Sequence, residues 1–132
     1  MIVKANTPIL VFRFSSSWTE NFIEAHRAVI ESQGRVWVYK QGKKPSVDIV
    51  NKIIDAGGYI IFKEPKKLGD RYYIGTIDSI EFNKPDDPAS FFPKYYSEEL
   101  EIGSLKNGTW FRVCSMEPFN SKYIEKLLLI LR

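Results

Sequence analysis

With 132 residues, 44% hydrophobic and 27% charged, the chain has apolar material for one domain with its own core and is cramped for two. Its single cysteine, Cys114, excludes an internal disulfide framework. The net charge of +3 is too mild to point to nucleic acid unaided, although bases gather in residues 35–44 and 63–71 and acids at Asp86, Asp87 and residues 97–101.

Met1 to Asn6 lack the apolar core of a secretory signal, and the longest apolar run, residues 127–131, is far too short for a bilayer, so a cytoplasmic protein is expected. Residues 8–14 are β-formers behind Pro8 and predict the first strand. Ser15, Ser16 and Ser17 follow. Ser17 with Glu20 has the form of a capping box, in which hydroxyl and carboxylate take up free backbone donors at a helix start. The helix is expected from Trp18 or Thr19 to about Gln33, with Phe22, Ala25 and Val29 buried, Ile23 and Ile30 beside them, and Gly34 as its stop. His26 lies inside it, where a partly buried structural role is favoured over catalysis.

Residues 34–44 read as a short strand running into a basic, glycine-containing turn. Alternation puts Arg35, Trp37 and Tyr39 on one face and Val36 and Val38 on the other. The valines belong to a core. The two aromatics, flanked by Arg35 and Lys40, have two readings. They cover an adjacent helix with their polar tips at the surface, or they stack a nucleobase whose phosphate the cations hold.

Ser46 is placed to cap a second helix whose Ile49, Val50, Ile53 and Ile54 fall on one side, and Gly57 with Gly58 ends it. Residues 59–62 are wholly apolar and predict a strand buried on both faces. A basic loop, residues 63–70, leads into a long strand from Arg71 to about Phe82. There Ile74, Ile80 and Phe82 are expected to share a face with Tyr72, and Tyr73, Gly75 and Ile77 the other. Gly75 marks a bulge or a close backbone approach. Residues 83–107 are the least regular, yet Phe91-Phe92 and Tyr95-Tyr96 argue against a plain linker. Neighbouring side chains diverge, so one of each pair should pack down. Asn107-Gly108 is a turn signal before a strand over residues 109–116, and a last helix starts at Lys122. The chain stops in apolar material, as the cut end of a longer polypeptide would. The order predicts an α+β fold, a small curved mixed sheet or barrel with flanking helices, as a single domain over residues 1–132.

Catalytic chemistry is thin. One His and one Cys provide neither a zinc constellation nor a Cys–His or Ser–His–Asp triad with a second base. No phosphate-loop motif is present, and Asp78 and Glu81 fall on opposite strand faces, against a nuclease centre. No cofactor or metal is expected. Aromatics make up 14% of the chain and gather near helix starts, strand ends and loops at Trp18, Trp37, Tyr39, Phe92, Tyr95 and Tyr96. A small sheet that joins several of them in a cup can accept a flipped base, with cations at the rim.

The sequence of a serine-ended strand, a helix, a strand carrying Trp37, a second helix, an apolar strand, a long strand with Gly75, a variable loop and a Trp110-Phe111-Arg112-Val113 strand resembles the PUA-like superfamily. The resemblance is to its YTH and EVE branches, and most of all to the N-terminal DNA-recognition domains of archaeal McrB proteins, the motor subunits of modification-dependent restriction systems. It implies a β-barrel with flanking helices and an aromatic cage for a modified base flipped from nucleic acid. Ser15 and Ser16 match the serine end of the first strand, and Trp37 matches the cage tryptophan. The second cage aromatic falls among Phe91, Phe92, Tyr95 and Tyr96. After Trp37 the family's small polar-and-glycine signature is replaced by Tyr39-Lys40-Gln41-Gly42-Lys43, so the modification read stays open.

The expected function is therefore a non-catalytic module for a methylated base in DNA. Ser15, Ser16, Trp37, Tyr39, Phe92 and Tyr95 would hold the base, and Lys40, Lys43, Lys44, Lys66, Lys67 and Arg71 the phosphates. No membrane is involved, and a GTP-driven motor domain that oligomerises would belong to the same protein. RNA binding is the alternative. A small enzyme for a nucleotide-like ligand and a protein-interaction domain are the rivals.

Overall fold

Alternating apolar residues on nearly every strand demand cover on two sides, and the fold supplies it with helices on one face and an aromatic loop on the other. A computed structural model describes residues 7–14, 21–101, 103, 105, 107–120 and 122. In chain order its elements are β1 (Ile9–Arg13), α1 (Phe22–Gln33), β2 (Val36–Gln41), α2 (Val47–Ala56), β3 (Gly58–Lys63), β4 (Tyr72–Glu81), α3 (Tyr95–Glu101), β5 (Gly108–Val113) and β6 (Glu117–Phe119). Short 3₁₀ turns occupy Lys66–Leu68 and Ala89–Phe91.

This is an α+β domain with a mixed sheet. The strands lie in the order β1-β3-β4-β5-β2, with β6 on the first part of β4. β1 runs parallel to β3, and the other pairs are antiparallel. Among the described residues the sheet does not close into a barrel: β1 and β2 are its edges. Helix α1, which joins these edges in sequence, also bridges them in space. Its Phe22 ring stacks on Phe14 at 4.5 Å and lies 5.6 Å from Phe12, while the helix packs along β2.

The main core fills the inner face with Phe12, Phe22, Val36, Val38, Ile53, Ile60, Phe62, Ile77, Phe111 and Val113. On the outer face Tyr59, Ile61 and Ile74 form a small cluster, and the aromatics of β2 and β5 form another. Residues 59–62 are thus buried on both faces, as their unbroken apolar run requires.

Local signals explain the element ends. The Ser46 hydroxyl accepts from the Ile49 N–H at 3.3 Å and caps α2, whose Val50 and Ile53 are buried while Ile54 stays exposed. Gly34 ends α1 in the left-handed conformation, φ 84°. α1 itself starts at Phe22, later than the capping-box reading places it; Ser15 to Glu20 lie outside the described residues, as does the helix expected beyond Lys122.

β4 departs from strict alternation. Its register on β5 shifts between Ile77 and Ser79, which returns Ile80 to the inner face beside Ile77 instead of the outer face with Ile74. The bulge therefore lies beyond Gly75. Gly75 marks the other possibility, a close approach: a Cβ there would overlap the Ser115 carbonyl oxygen.

That oxygen belongs to the backbone of the bend between β5 and β6 and cannot swing away as a side chain would. Gly75→Ala should therefore lower stability by about 2 kcal/mol or more. Gly34→Ala has open space and only an unfavourable φ, and should cost about 1 kcal/mol. Urea unfolding of both variants checks the order; a Gly75→Ala midpoint equal to wild type would contradict the close approach.

Candidate functional site

The outer face of the β2–β5 pair carries an aromatic cluster of Trp37, Tyr39, Phe92, Tyr96 and Trp110, with Phe91 and Tyr95 packed against it. Alternation along β2 turns Trp37 and Tyr39 outward, and the antiparallel register sets Trp37 opposite Arg112, Tyr39 opposite Trp110 and Gln41 opposite Gly108. Gly108 is without a side chain for a reason: the Tyr39 ring occupies the space a Cβ would take. Residues 83–101 fold over this face as a roof. Trp110 meets Phe92 edge-on at 5.6 Å, Tyr96 edge-on at 5.5 Å and Tyr39 at 4.9 Å. As the diverging pairs require, Phe92 and Tyr96 are buried while Phe91 and Tyr95 are half-buried.

A buried polar chain fixes the roof to the rest of the fold. His26 Nδ1 lies 2.7 Å from the Phe22 carbonyl oxygen, which only accepts, so Nδ1 carries the ring proton. Nε2 then accepts from the Tyr96 hydroxyl at 2.8 Å, and that hydroxyl accepts from the Tyr39 N–H at 3.1 Å. Burial outweighs the Phe22 hydrogen bond and pushes the His26 pKa down to about 4, so the imidazole is neutral. Burial also raises the Tyr95 and Tyr96 phenols well above their ordinary range. His26 is a structural residue here.

Trp37 has a more polar setting. It is 3% exposed, and its indole N–H donates to the Asp87 carboxylate at 2.6 Å. Asp87 sits in the irregular stretch of residues 84–88, between Pro85 and Pro88. Across the strand pair the Arg112 guanidinium lies 5.9 Å from the Trp37 ring and donates through Nε to Asp78 at 2.7 Å. Asp78 also accepts from the Cys114 thiol at 3.6 Å. Burial and this carboxylate raise the thiol pKa, which keeps it protonated and unreactive.

Trp37, Tyr39, Phe92 and Tyr95 do come together, but Tyr39 and Phe92 fill one another's space inside the cluster and do not line an open cup. The Tyr39 hydroxyl donates to Gln41 at 3.1 Å, and the Tyr95 ring packs on Tyr96 at 4.5 Å. Ser15 and Ser16 lie outside the described residues.

The expected phosphate contacts fall into two separate groups. Lys40 stands opposite Thr109 on β5, Lys43 is exposed nearby, and the Lys44 ammonium lies 5.2 Å from the Phe82 ring, just past the end of β4. Lys66, Lys67 and Arg71 flank the start of β4. β4 has 10 residues, so roughly 30 Å separates the groups. Arg71 is moreover committed to the buried Glu64, to which Nε and Nη2 donate at 2.9 and 3.0 Å. Arg112 and Asp87 were not marked as site residues by sequence. Arg112 shares the alternation of its strand with Trp110, but only the β2–β5 register brings it to Trp37.

The neutral His26 has a pH signature. Its folded pKa of about 4 lies below the free value of 6.5, so from pH 6.5 downward the unfolded chain takes up a proton that the folded chain refuses. Stability should fall by about 3 kcal/mol between pH 7 and pH 4 from this group. The stability difference between wild type and His26→Gln, measured by urea unfolding, should shrink by that amount over the window. A difference independent of pH would contradict a buried neutral imidazole. Comparison with protein-family models, curated proteins and solved structures gives no match for this chain.

Proposed function

We propose that this chain is a non-catalytic nucleic-acid-binding domain that takes one flipped or unpaired base against Trp37. The setting of that ring supports the reading. A flat indole is held at its edge by the charge-assisted hydrogen bond it donates to Asp87 and faces a guanidinium on β5. A base offers a ring face for stacking and edge groups that can replace the Asp87 bond. The loop of residues 84–88 then acts as the cover that a bound base displaces.

The resemblance to PUA-like domains implies a methylated base in DNA as the ligand. It also implies a GTP-driven motor elsewhere in the protein. Stacking of one base contributes roughly 1–3 kcal/mol, so this site alone raises affinity by only about 5- to 150-fold.

The test is binding of short duplexes matched except for one methylated adenine or cytosine, with single-stranded RNA of the same sequence as comparison. One modified duplex should bind more tightly, and Trp37→Ala should abolish that preference. Trp37→Phe keeps a stacking face and should retain it. Asp87→Ala removes the hold on the cover and should tighten binding. Equal binding of all duplexes by wild type and Trp37→Ala would remove the base site, and preferential binding of RNA would reassign the ligand.

A further inference from the structure

We propose that Arg35 and Arg112 hold a backbone phosphate beside Trp37, the role that sequence assigns to the lysine clusters. This rests on the nucleic-acid reading of the site and names the residues that grip the strand.

Position comes first. Arg35 immediately precedes β2, two residues before Trp37, and Arg112 is the direct cross-strand partner of Trp37. The tryptophan therefore has one arginine two residues before it in the chain and another across the strand pair, about 5 Å away between backbones. Both guanidinium groups lie on rings of one aromatic cluster, Arg35 on Phe91 and Arg112 on Trp37.

Hydrogen-bonding capacity comes second. Arg35 packs its guanidinium 4.6 Å from the Phe91 ring, and its Nε is buried without a hydrogen-bond partner. A guanidinium whose Nε has no acceptor is not committed to a carboxylate among the described residues, in contrast to Arg71. Arg112 uses Nε for Asp78, which leaves the terminal nitrogens of its fork to face a second anion. Guanidinium forks match phosphate oxygens in pairs, and their planar faces tolerate the aromatic rings, Phe91 and Trp37, on which they lie. Neither lysine group has this relation to Trp37, and Arg71 is already bound to Glu64.

The experiment is the salt dependence of binding of a 12-nucleotide single-stranded DNA. For single strands log K falls against log salt with a slope of about 0.7 per neutralised phosphate. Arg35→Gln should reduce the slope by about 0.7 and weaken binding about tenfold at low salt, with the unfolding midpoint unmoved. Arg112→Gln should act in the same direction, and Arg35→Lys should keep the slope while losing affinity. Trp37→Ala should weaken binding at an unchanged slope, and Lys66→Gln/Lys67→Gln should leave both unchanged. A wild-type slope in Arg35→Gln and Arg112→Gln would overturn the phosphate pair and leave the base site standing. Failure of the wild-type domain to bind the strand at any salt would overturn the nucleic-acid reading and the pair with it.

Discussion

The Tyr96 hydroxyl, placed between a neutral imidazole and a backbone N–H, is the contact on which the outer half of this molecule depends. β2 is an edge strand, and alternate N–H groups on such a strand point away from the sheet. The Tyr39 N–H finds its acceptor in Tyr96, and Tyr96 donates in turn to His26 on α1. One phenol thus joins three elements that are far apart in sequence: the first helix, the second strand and the roof. The chain is fully satisfied only if His26 stays uncharged, because a protonated imidazole would present two donors to a hydroxyl already oriented to give. Burial enforces that state, so the roof is positioned by the same desolvation that removes His26 from acid–base chemistry.

From that fixed point the two-sidedness of the sheet follows. Val36 and Val38 enter the main core, whereas Trp37 and Tyr39 enter an aromatic layer under residues 83–101. Much of this was legible in sequence, because alternation, helix caps and glycine placement are local matters. Ser46, Gly34 and the diverging Phe91-Phe92 and Tyr95-Tyr96 pairs behave as their chemistry dictates. What escaped reading depends on register. The extra residue at Asp78 moves Ile80 to the inner face, and nothing in residues 71–82 announces it. The pairing of Trp37 with Arg112 joins positions 75 residues apart and becomes visible only once β2 lies on β5. The grouping of lysines in sequence gave a misleading impression of one basic surface, because a strand of 10 residues intervenes.

The same geometry decides what a base site at Trp37 could discriminate. Freeing the indole breaks a charge-assisted hydrogen bond, which contributes about 1.5–3 kcal/mol. Stacking a base returns roughly 1–3 kcal/mol, so the exchange is nearly balanced for an unmodified base. The balance moves with small additions: a methyl group buried beneath the roof adds about 0.8 kcal/mol, and a phosphate held by arginines adds a term independent of sequence. A covered tryptophan is therefore compatible with selectivity. In the proposed site the cover would cancel most of the generic stacking energy, and the remainder would come from what distinguishes one base from another. An open platform at Trp37 would bind more tightly and discriminate no better, since the methyl contributes the same increment in both cases. In the proposed site the cover would lower occupancy by unmodified bases, so that this increment would decide which strand is held.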